Sequence, residues 1–136
     1  MDFNWLIASF GASAVLMFGL PAAKLSQPRN VVGGHCISAL TGILVRLIIQ
    51  PQYAGGNLNF ISTALGMSLS LTAMQATGTT HPPAGATGLL AASTDPIPDW
   101  QGFKFLLTAL AGSSVMVLVA LVFNNLIPGR RYPTFW

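Results

Sequence analysis

The chain has 136 residues, of which 52% are hydrophobic and 7% are charged, and its net charge at pH 7 is +3. Soluble domains carry about 25% charged residues, so this composition cannot cover a water-facing surface and indicates an integral membrane protein. The few basic residues form neither a run nor a stripe with aromatics, which argues against a nucleic-acid partner. A single cysteine excludes an intrachain disulfide and a cysteine-based metal site.

Four segments are predicted to be membrane-spanning helices, because each has about 20 mostly apolar residues. The first is predicted to be a span rather than a signal peptide, since it lacks a basic leader and exceeds the roughly 7–15 residues of a signal core. Small residues recur at helical spacing in the later spans and predict close helix packing. The four predicted spans are residues 5–23, 31–49, 58–76 and 103–127.

The segment TGTTHPPAGATGLLAAS, residues 77–93, lies between the third and the last span. Its two prolines do not suit an ordinary spanning helix, and its small apolar residues do not suit a solvated loop. An extended part (77–82) followed by a half-helix (83–93) would together reach about 30 Å, the thickness of the hydrocarbon core. The polar, proline-rich stretch 95–102 that follows is predicted to be a surface loop.

The basic residues at span ends favour five crossings over four. Lys24 and Arg29 follow the first span, and Arg130 and Arg131 follow the last. Only an odd number of crossings puts both pairs on the cytoplasmic side, as the positive-inside rule requires. The predicted fold is therefore all-α: a polytopic transmembrane helical bundle of four full spans plus a broken half-helix crossing at 77–93, with the N-terminus outside. The predicted aromatic anchors are Trp5, Tyr53 and Trp100 outside, and Tyr132 and Trp136 inside.

Two helix starts share a layout of a proline followed by a glycine-rich first turn. Asn30 is the predicted N-cap of one helix, and Pro83 the predicted first residue of the other. Helix N-termini expose backbone N–H groups and a partial positive charge, so two such ends that converge would bind an anion. The candidate substrate-binding residues are Arg29, Asn30, Gly33, Gly34, His35, His81, Pro82, Pro83, Gly85 and Thr87.

The second span carries a polar stripe, because His35, Ser38, Gly42 and Arg46 are spaced to share one helix face. Ser38 and Arg46 are predicted to line a pathway. Structural alternatives stay open: the arginines, Arg29 included, as interfacial anchors, His35 as a helix-to-helix hydrogen-bonding group, and the second histidine as a partner of backbone groups.

No predicted span contains Asp or Glu, and the sequence shows no carboxylate pair, metal-ligand spacing or nucleophile motif. We therefore expect no catalytic residue, no metal site and no cofactor, and the chain is not predicted to be an enzyme. An interior with basic and neutral polar groups repels cations and favours a small anion, which an arginine fork and helix-end amides can bind.

Three motifs resemble the HPP family of integral membrane proteins: QPRNVVGGHCISAL (27–40), THPPAGAT (80–87) and FNNLIPGRRYPTFW (123–136). The resemblance extends over nearly the whole chain, which is predicted to be a single HPP transmembrane domain, residues 1–136. The family is usually described with four spans, one crossing fewer than predicted here. Members from photosynthetic organisms are associated with nitrite transport, so the resemblance implies nitrite as the substrate.

The resemblance also implies a bacterial plasma membrane, or another membrane of a photosynthetic organism. The chain is expected to be the bare membrane domain of a bacterial or cyanobacterial member, without a transit peptide or regulatory domain. The expected function is transport of a small monovalent anion across the lipid bilayer by a homo-oligomer, because one chain has too few helices to seal a pathway. The alternatives are a non-transporting oligomeric scaffold or partner-binding protein, and a passive anion channel.

Overall fold

The structure, a computed structural model, describes residues 7–50, 58–93 and 102–136. The regular secondary structure in these ranges is helical, as predicted. Two of the four predicted spans, α2 and α5 below, are long and apolar enough to cross a membrane, and α1 is a shorter apolar helix. A 3-10 turn, Lys24–Ser26, joins α1 to α2. The five α-helices are α1 Ala8–Gly19, α2 Pro28–Ile49, α3 Asn59–Thr77, α4 Pro82–Ala92 and α5 Phe103–Leu126.

The first helix is shorter than its predicted segment, 5–23. It ends at Gly19 because Leu20 leaves the helical region (φ −133°) and Pro21 follows, after which the chain turns towards α2. Its predicted beginning lies outside the described residues, as do the anchors Trp5, Tyr53 and Trp100 and most of the predicted surface loop.

The starts of α2 and α4 differ from prediction by a few residues. Gln27, not Asn30, is the N-cap of α2, because Pro28 already occupies the first turn, where a missing N–H costs nothing. Asn30 lies inside that turn and donates its side-chain amide to the Thr80 carbonyl at 2.8 Å. In α4 the helix begins at Pro82, one residue earlier than predicted.

The predicted extended stretch 77–82 is wrong in length. Helix α3 continues to Thr77, and Gly78 then takes a left-handed conformation (φ +68°) that a glycine adopts without strain. The Thr79 N–H bonds the Met74 carbonyl at 2.9 Å, which completes a Schellman cap. Only residues 78–81 therefore connect α3 to α4.

Helix α4 runs beside α2 in the same direction. At one end, a Cβ added to Gly33 would lie 2.9 Å from Thr79 Cγ2. At the other end, the Arg46 guanidinium donates to the Ser93 carbonyl, just after α4. The segment 79–93 thus accompanies α2 from Gly33 to Arg46, a rise of about 20 Å.

Glycines allow α4 to lie close to both α2 and α3. A Cβ on Gly42 of α2 would be 2.3 Å from the Gly88 carbonyl oxygen, and one on Gly66 of α3 would be 2.4 Å from Ala92 Cβ. On the α4 side, a Cβ on Gly88 would be 2.1 Å from Ser70 Oγ. The small-residue packing predicted for the third span is confirmed, and the helix it accommodates is α4.

Within the described ranges, carbonyl groups at or beside three helix C-termini accept hydrogen bonds from arginines. Carbonyls at a helix C-terminus accept no hydrogen bond from their own helix, so they need another donor. A cation beside them also complements the helix dipole. The pairs are Arg29 with Thr77 (3.1 Å, α3), Arg46 with Ser93 (after α4) and Arg130 with Phe18 (2.9 Å, α1).

The C-terminal tail packs back onto the turn between α1 and α2. Tyr132 is 2% exposed, and its hydroxyl donates to the Ser26 carbonyl at 2.9 Å. Burial raises the pKa of Tyr132 to about 12, so the hydroxyl keeps its proton. Its prediction as an interfacial anchor is wrong, since the ring joins the apolar core with Met17 and Val31.

The close crossing of α2 and α4 predicts that Gly42→Ala destabilises the protein. The added methyl group meets the backbone of α4, which cannot rotate away, and overpacking costs about 1–3 kcal/mol. The matched control is Gly11→Ala in α1, where, in the described part of the chain, nothing outside the local helix backbone lies within 4 Å of the new Cβ. Thermal unfolding in detergent, followed by helical circular dichroism, should give a lower midpoint for the first variant only. Equal midpoints would contradict the packing.

Candidate functional site

Five polar side chains from α1, α2 and the start of α4 meet inside the bundle, each at most 2% exposed. Polar groups buried among apolar helices need partners of their own, and these supply one another. We call this set the polar chain; its members are Ser9, Ser13, His35, His81 and Thr87.

His81 lies at one end of the polar chain. Its Nδ1 lies 2.7 Å from the backbone carbonyl oxygen of Leu25, in the 3-10 turn. Its Nε2 lies 2.8 Å from Ser13 Oγ on α1. The histidine that precedes α4 is therefore tied both to the turn and to α1.

Ser13 connects His81 to the second histidine. Ser13 Oγ lies 2.9 Å from His35 Nε2, and His35 Nδ1 lies 2.8 Å from the Thr87 hydroxyl on α4. That hydroxyl is in turn 2.8 Å from Ser9 Oγ on α1. The polar chain thus passes twice through α1 and joins three helices.

The two rings are held in place by close packing. The ring of Phe10 meets His35 edge to face, with centroids 5.1 Å apart. Gly112 of α5 makes room for that phenyl ring, because a Cβ there would lie 2.2 Å from it. A Cβ on Gly34 would lie 2.8 Å from His81 Cβ, so only a glycine lets this histidine approach α2 so closely.

The structure brings together three of the predicted substrate-binding residues, His35, His81 and Thr87. His35 contacts Thr87 directly, and Ser13 lies between His35 and His81. Ser38 and Arg46, predicted to line the pathway, are buried on the same face of α2. The remaining predicted residues lie nearer the two helix starts: Arg29, Asn30, Gly33, Gly34, Pro82, Pro83 and Gly85.

Several of those residues hold the link between α3 and α4. Arg29 is exposed and bonds the Thr77 carbonyl, and Asn30 bonds Thr80. The start of α4 offers few amides, since Pro82 and Pro83 have no N–H and the Ala84 N–H already bonds the His81 carbonyl at 2.9 Å. Gly85 is buried, and a Cβ there would lie 3.8 Å from Met67.

Sequence reasoning missed Ser9 and Ser13. The available signal was their spacing of four residues, which puts both on one face of an otherwise apolar helix, with Met17 one turn further. The Leu25 carbonyl carries no sequence signal, because any residue supplies a backbone oxygen.

Apolar composition, an all-helical fold and a buried acid-free polar chain define a helical integral membrane protein. The sequence matches the family described as "HPP, transmembrane region" over residues 1–133. The chain belongs to this HPP transmembrane family, and the resemblance seen in its motifs is confirmed.

Two curated relatives are transmembrane proteins of Dictyostelium discoideum. One is 42% identical over 132 residues, which is 96% of this chain and 45% of the relative. The other is 41% identical over 133 residues, which is 97% of this chain and 42% of the relative. The chain therefore spans less than half the length of these curated relatives. No solved structure matches it.

The contacts of Thr87 predict that Thr87→Val destabilises the fold without changing the shape of the side chain. The change removes a hydroxyl from between His35 and Ser9, and buried interhelical hydrogen bonds in membrane proteins are worth about 0.6–2 kcal/mol. The control is Thr72→Val, at an exposed site where the hydroxyl bonds the Ser68 carbonyl of its own helix. Detergent denaturation should separate the two variants; equal stability would mean that the Thr87 hydroxyl contributes nothing.

Proposed function

We propose that the chain is a membrane transport domain for a small monovalent anion, with nitrite as the substrate that the family resemblance implies. The observation that carries this proposal is the polar chain: imidazoles and hydroxyls, with no carboxylate, buried inside apolar helices. Polar groups inside a membrane bundle are costly and mark solute pathways. The three acidic residues, Asp2, Asp95 and Asp99, lie outside the described part of the chain.

Donors without nearby acids suit an anion and repel a cation. Imidazole N–H, hydroxyl and guanidinium groups can each donate to a planar oxyanion. In this proposal Arg29, exposed at the start of α2, attracts the anion, and Asn30, Gly33 and Gly34 form the first contact surface. The residues that complete the site and line the path are His35, Ser38, Arg46, His81, Pro82, Pro83, Gly85 and Thr87.

The packing at the start of α2 supports a carrier over a passive channel. Gly33 faces Thr79 closely, and Asn30 holds the Thr80 carbonyl at 2.8 Å. An anion could reach the first turn of α2 only if residues 79–81 moved away. A site that must open by displacing a packed segment suits alternating access better than continuous conduction.

We also propose five crossings, with segment 77–93 as the broken one. The 20 Å course of this segment beside α2, together with its different neighbours at the two ends, supports a passage through the bilayer rather than a loop on one side. The basic pairs at 24/29 and 130/131 then share the cytoplasmic side. Non-helical residues 79–81 are shielded by α2, as membrane depth requires.

A homo-oligomer is proposed because α3 presents polar side chains outward. Ser68, Thr72 and Gln75 are exposed on this helix, where lipid would be a poor partner. The rival function, a non-transporting scaffold, has its own support: Arg29 and His81 both bond backbone carbonyls, as purely structural groups would. No enzymatic role is proposed.

The host membrane is proposed to be a bacterial plasma membrane or another membrane of a photosynthetic organism, as the resemblance implies. The two Dictyostelium relatives place the family outside those groups as well. The membrane assignment can be tested by locating the protein in its source cells.

Nitrite uptake by purified protein in liposomes tests the transport proposal. We expect uptake above that of protein-free liposomes, and a decrease of about tenfold or more in Arg29→Gln, since loss of a charged hydrogen bond costs roughly 1.5–3 kcal/mol. His81→Ala should also lose uptake. The control Thr72→Ala, on the exposed face of α3, should transport as the unmodified protein does.

Uptake equal to that of protein-free liposomes would contradict transport and favour the scaffold. Uptake that is unchanged in both site variants would keep transport but move the site elsewhere.

The crossing proposal predicts that residues 77 and 104 lie on opposite sides of the membrane. In a Cys36→Ala background, Thr77→Cys and Lys104→Cys place a thiol at exposed positions on either side of the segment. A membrane-impermeant maleimide added to sealed vesicles of one orientation should label one variant and not the other. Labelling of both from the same side would establish four crossings.

A further inference from the structure

The hydrogen bonds of the polar chain have one direction, and the Leu25 carbonyl sets it. A carbonyl oxygen only accepts, so His81 Nδ1 must carry the proton in their 2.7 Å contact. In a neutral imidazole the other nitrogen is then an acceptor. Ser13 therefore donates its hydroxyl proton to His81 Nε2 at 2.8 Å, and the Ser9 backbone carbonyl, at 3.1 Å, is a second and longer acceptor of the same proton.

The remaining hydrogen bonds of the polar chain follow from the Ser13 donor. With its proton committed, Ser13 can only accept from His35, so His35 Nε2 carries the proton of that ring and Nδ1 accepts from Thr87. Thr87 in turn accepts from Ser9. Only this arrangement satisfies all five contacts with both rings neutral, and in it every donor points from Ser9 towards Leu25.

We propose that the polar chain is a proton relay, and that protons are the ion coupled to transport by this domain. The proposal rests on the transport function proposed above. Two imidazoles joined by one hydroxyl, with donor–acceptor distances of 2.8 and 2.9 Å, form an unbroken path for proton transfer between α1, α2 and α4.

The relay needs water at its two ends. A water molecule gives a proton to Ser9 Oγ, each donor passes its own proton to the next acceptor, and a second water molecule takes the proton that leaves His81 Nδ1. Every oxygen and each ring then holds as many protons as before, and both rings have exchanged tautomers. His81 Nδ1 now faces the Leu25 oxygen as a second acceptor, which is unfavourable, so the ring must turn and release this contact.

The two imidazole rings are the titratable groups of the polar chain. Within the described residues, Ser13 and Thr87 hydrogen-bond the rings and Phe10 packs on one of them, and each ring also faces the other at 5.2 Å. Charged or titratable groups further along the packed elements point elsewhere or bond backbone: Lys24 is exposed, Arg29 bonds Thr77, Tyr132 bonds Ser26, and Cys36 is half-buried on the neighbouring flank of α2. No acid stands near enough in the described structure to hold a fixed positive charge on either ring.

Liposomes that enclose a pH-sensitive dye test the relay directly. Nitrite is added outside at equal pH on both sides, and nitrite uptake and internal pH are recorded together. With the unmodified protein we expect internal acidification that grows with nitrite uptake and exceeds the diffusion of nitrous acid into protein-free liposomes. An inward proton gradient should accelerate uptake.

Ser13→Ala removes the hydroxyl between the rings and should reduce the protein-dependent acidification to the protein-free level. The matched control is Ser113→Ala, another fully buried serine, whose hydroxyl bonds the Ala109 and Leu110 carbonyls of its own helix. This control should keep the acidification. Helical circular dichroism checks the folding of both, and the result for the unmodified protein does not depend on either variant.

Nitrite uptake without protein-dependent acidification would overturn the relay and leave transport standing. Full coupling in Ser13→Ala would overturn it too. If the unmodified protein takes up no nitrite, the transport proposal fails. The relay is then tested by proton flux under a potassium diffusion potential. Proton flux above that of Ser13→Ala supports the relay, and equal flux overturns the relay.

Discussion

The structure depends on one constraint: each polar group that this apolar bundle buries must find its partner inside the protein. The constraint is most severe where the chain leaves α3 and enters α4, because residues 79–81 are not helical. Two side chains supply partners here: Asn30 hydrogen-bonds the Thr80 carbonyl, and His81 hydrogen-bonds the Leu25 carbonyl. The same need places arginines at helix C-termini, so basic residues that could attract an anion also complete the backbone.

Close approach of helices makes these bonds possible. Gly42 and Gly88 let α4 sit against α2, and Gly34 does the same for His81. Since glycine contributes no contact area of its own, the bundle gains stability from the backbone and side chains that it allows to meet. A consequence for function is that the proposed anion site is closed by the packing that stabilises it, and opening must displace the segment before α4. The polar chain ends at that segment, because His81 precedes α4, and this would link proton transfer at His81 to the movement of residues 79–81.

The sequence predicted the helices well, because their length and apolar character are averaged over many residues. Local breaks were less predictable: the α3 cap depends on a single left-handed glycine, Gly78, and shortened the extended stretch. Tyr132 resembled an interfacial anchor, but tertiary packing buried it. The histidines were found as isolated polar residues in apolar segments. Their partner Ser13 was not, since a serine in a small-residue helix usually signifies packing and its bonds depend on how helices rotate against one another.

The hydrogen bonds of the polar chain run in one direction, and histidine nitrogen chemical shifts in lipid bilayers test that direction most directly. Protein labelled with ¹⁵N at histidine has two imidazoles to assign, His35 and His81. The hydrogen bonds predict two neutral rings of opposite tautomer, protonated at Nε2 in His35 and at Nδ1 in His81. Two rings of the same tautomer, or a ring protonated at both nitrogens at neutral pH, would contradict the account.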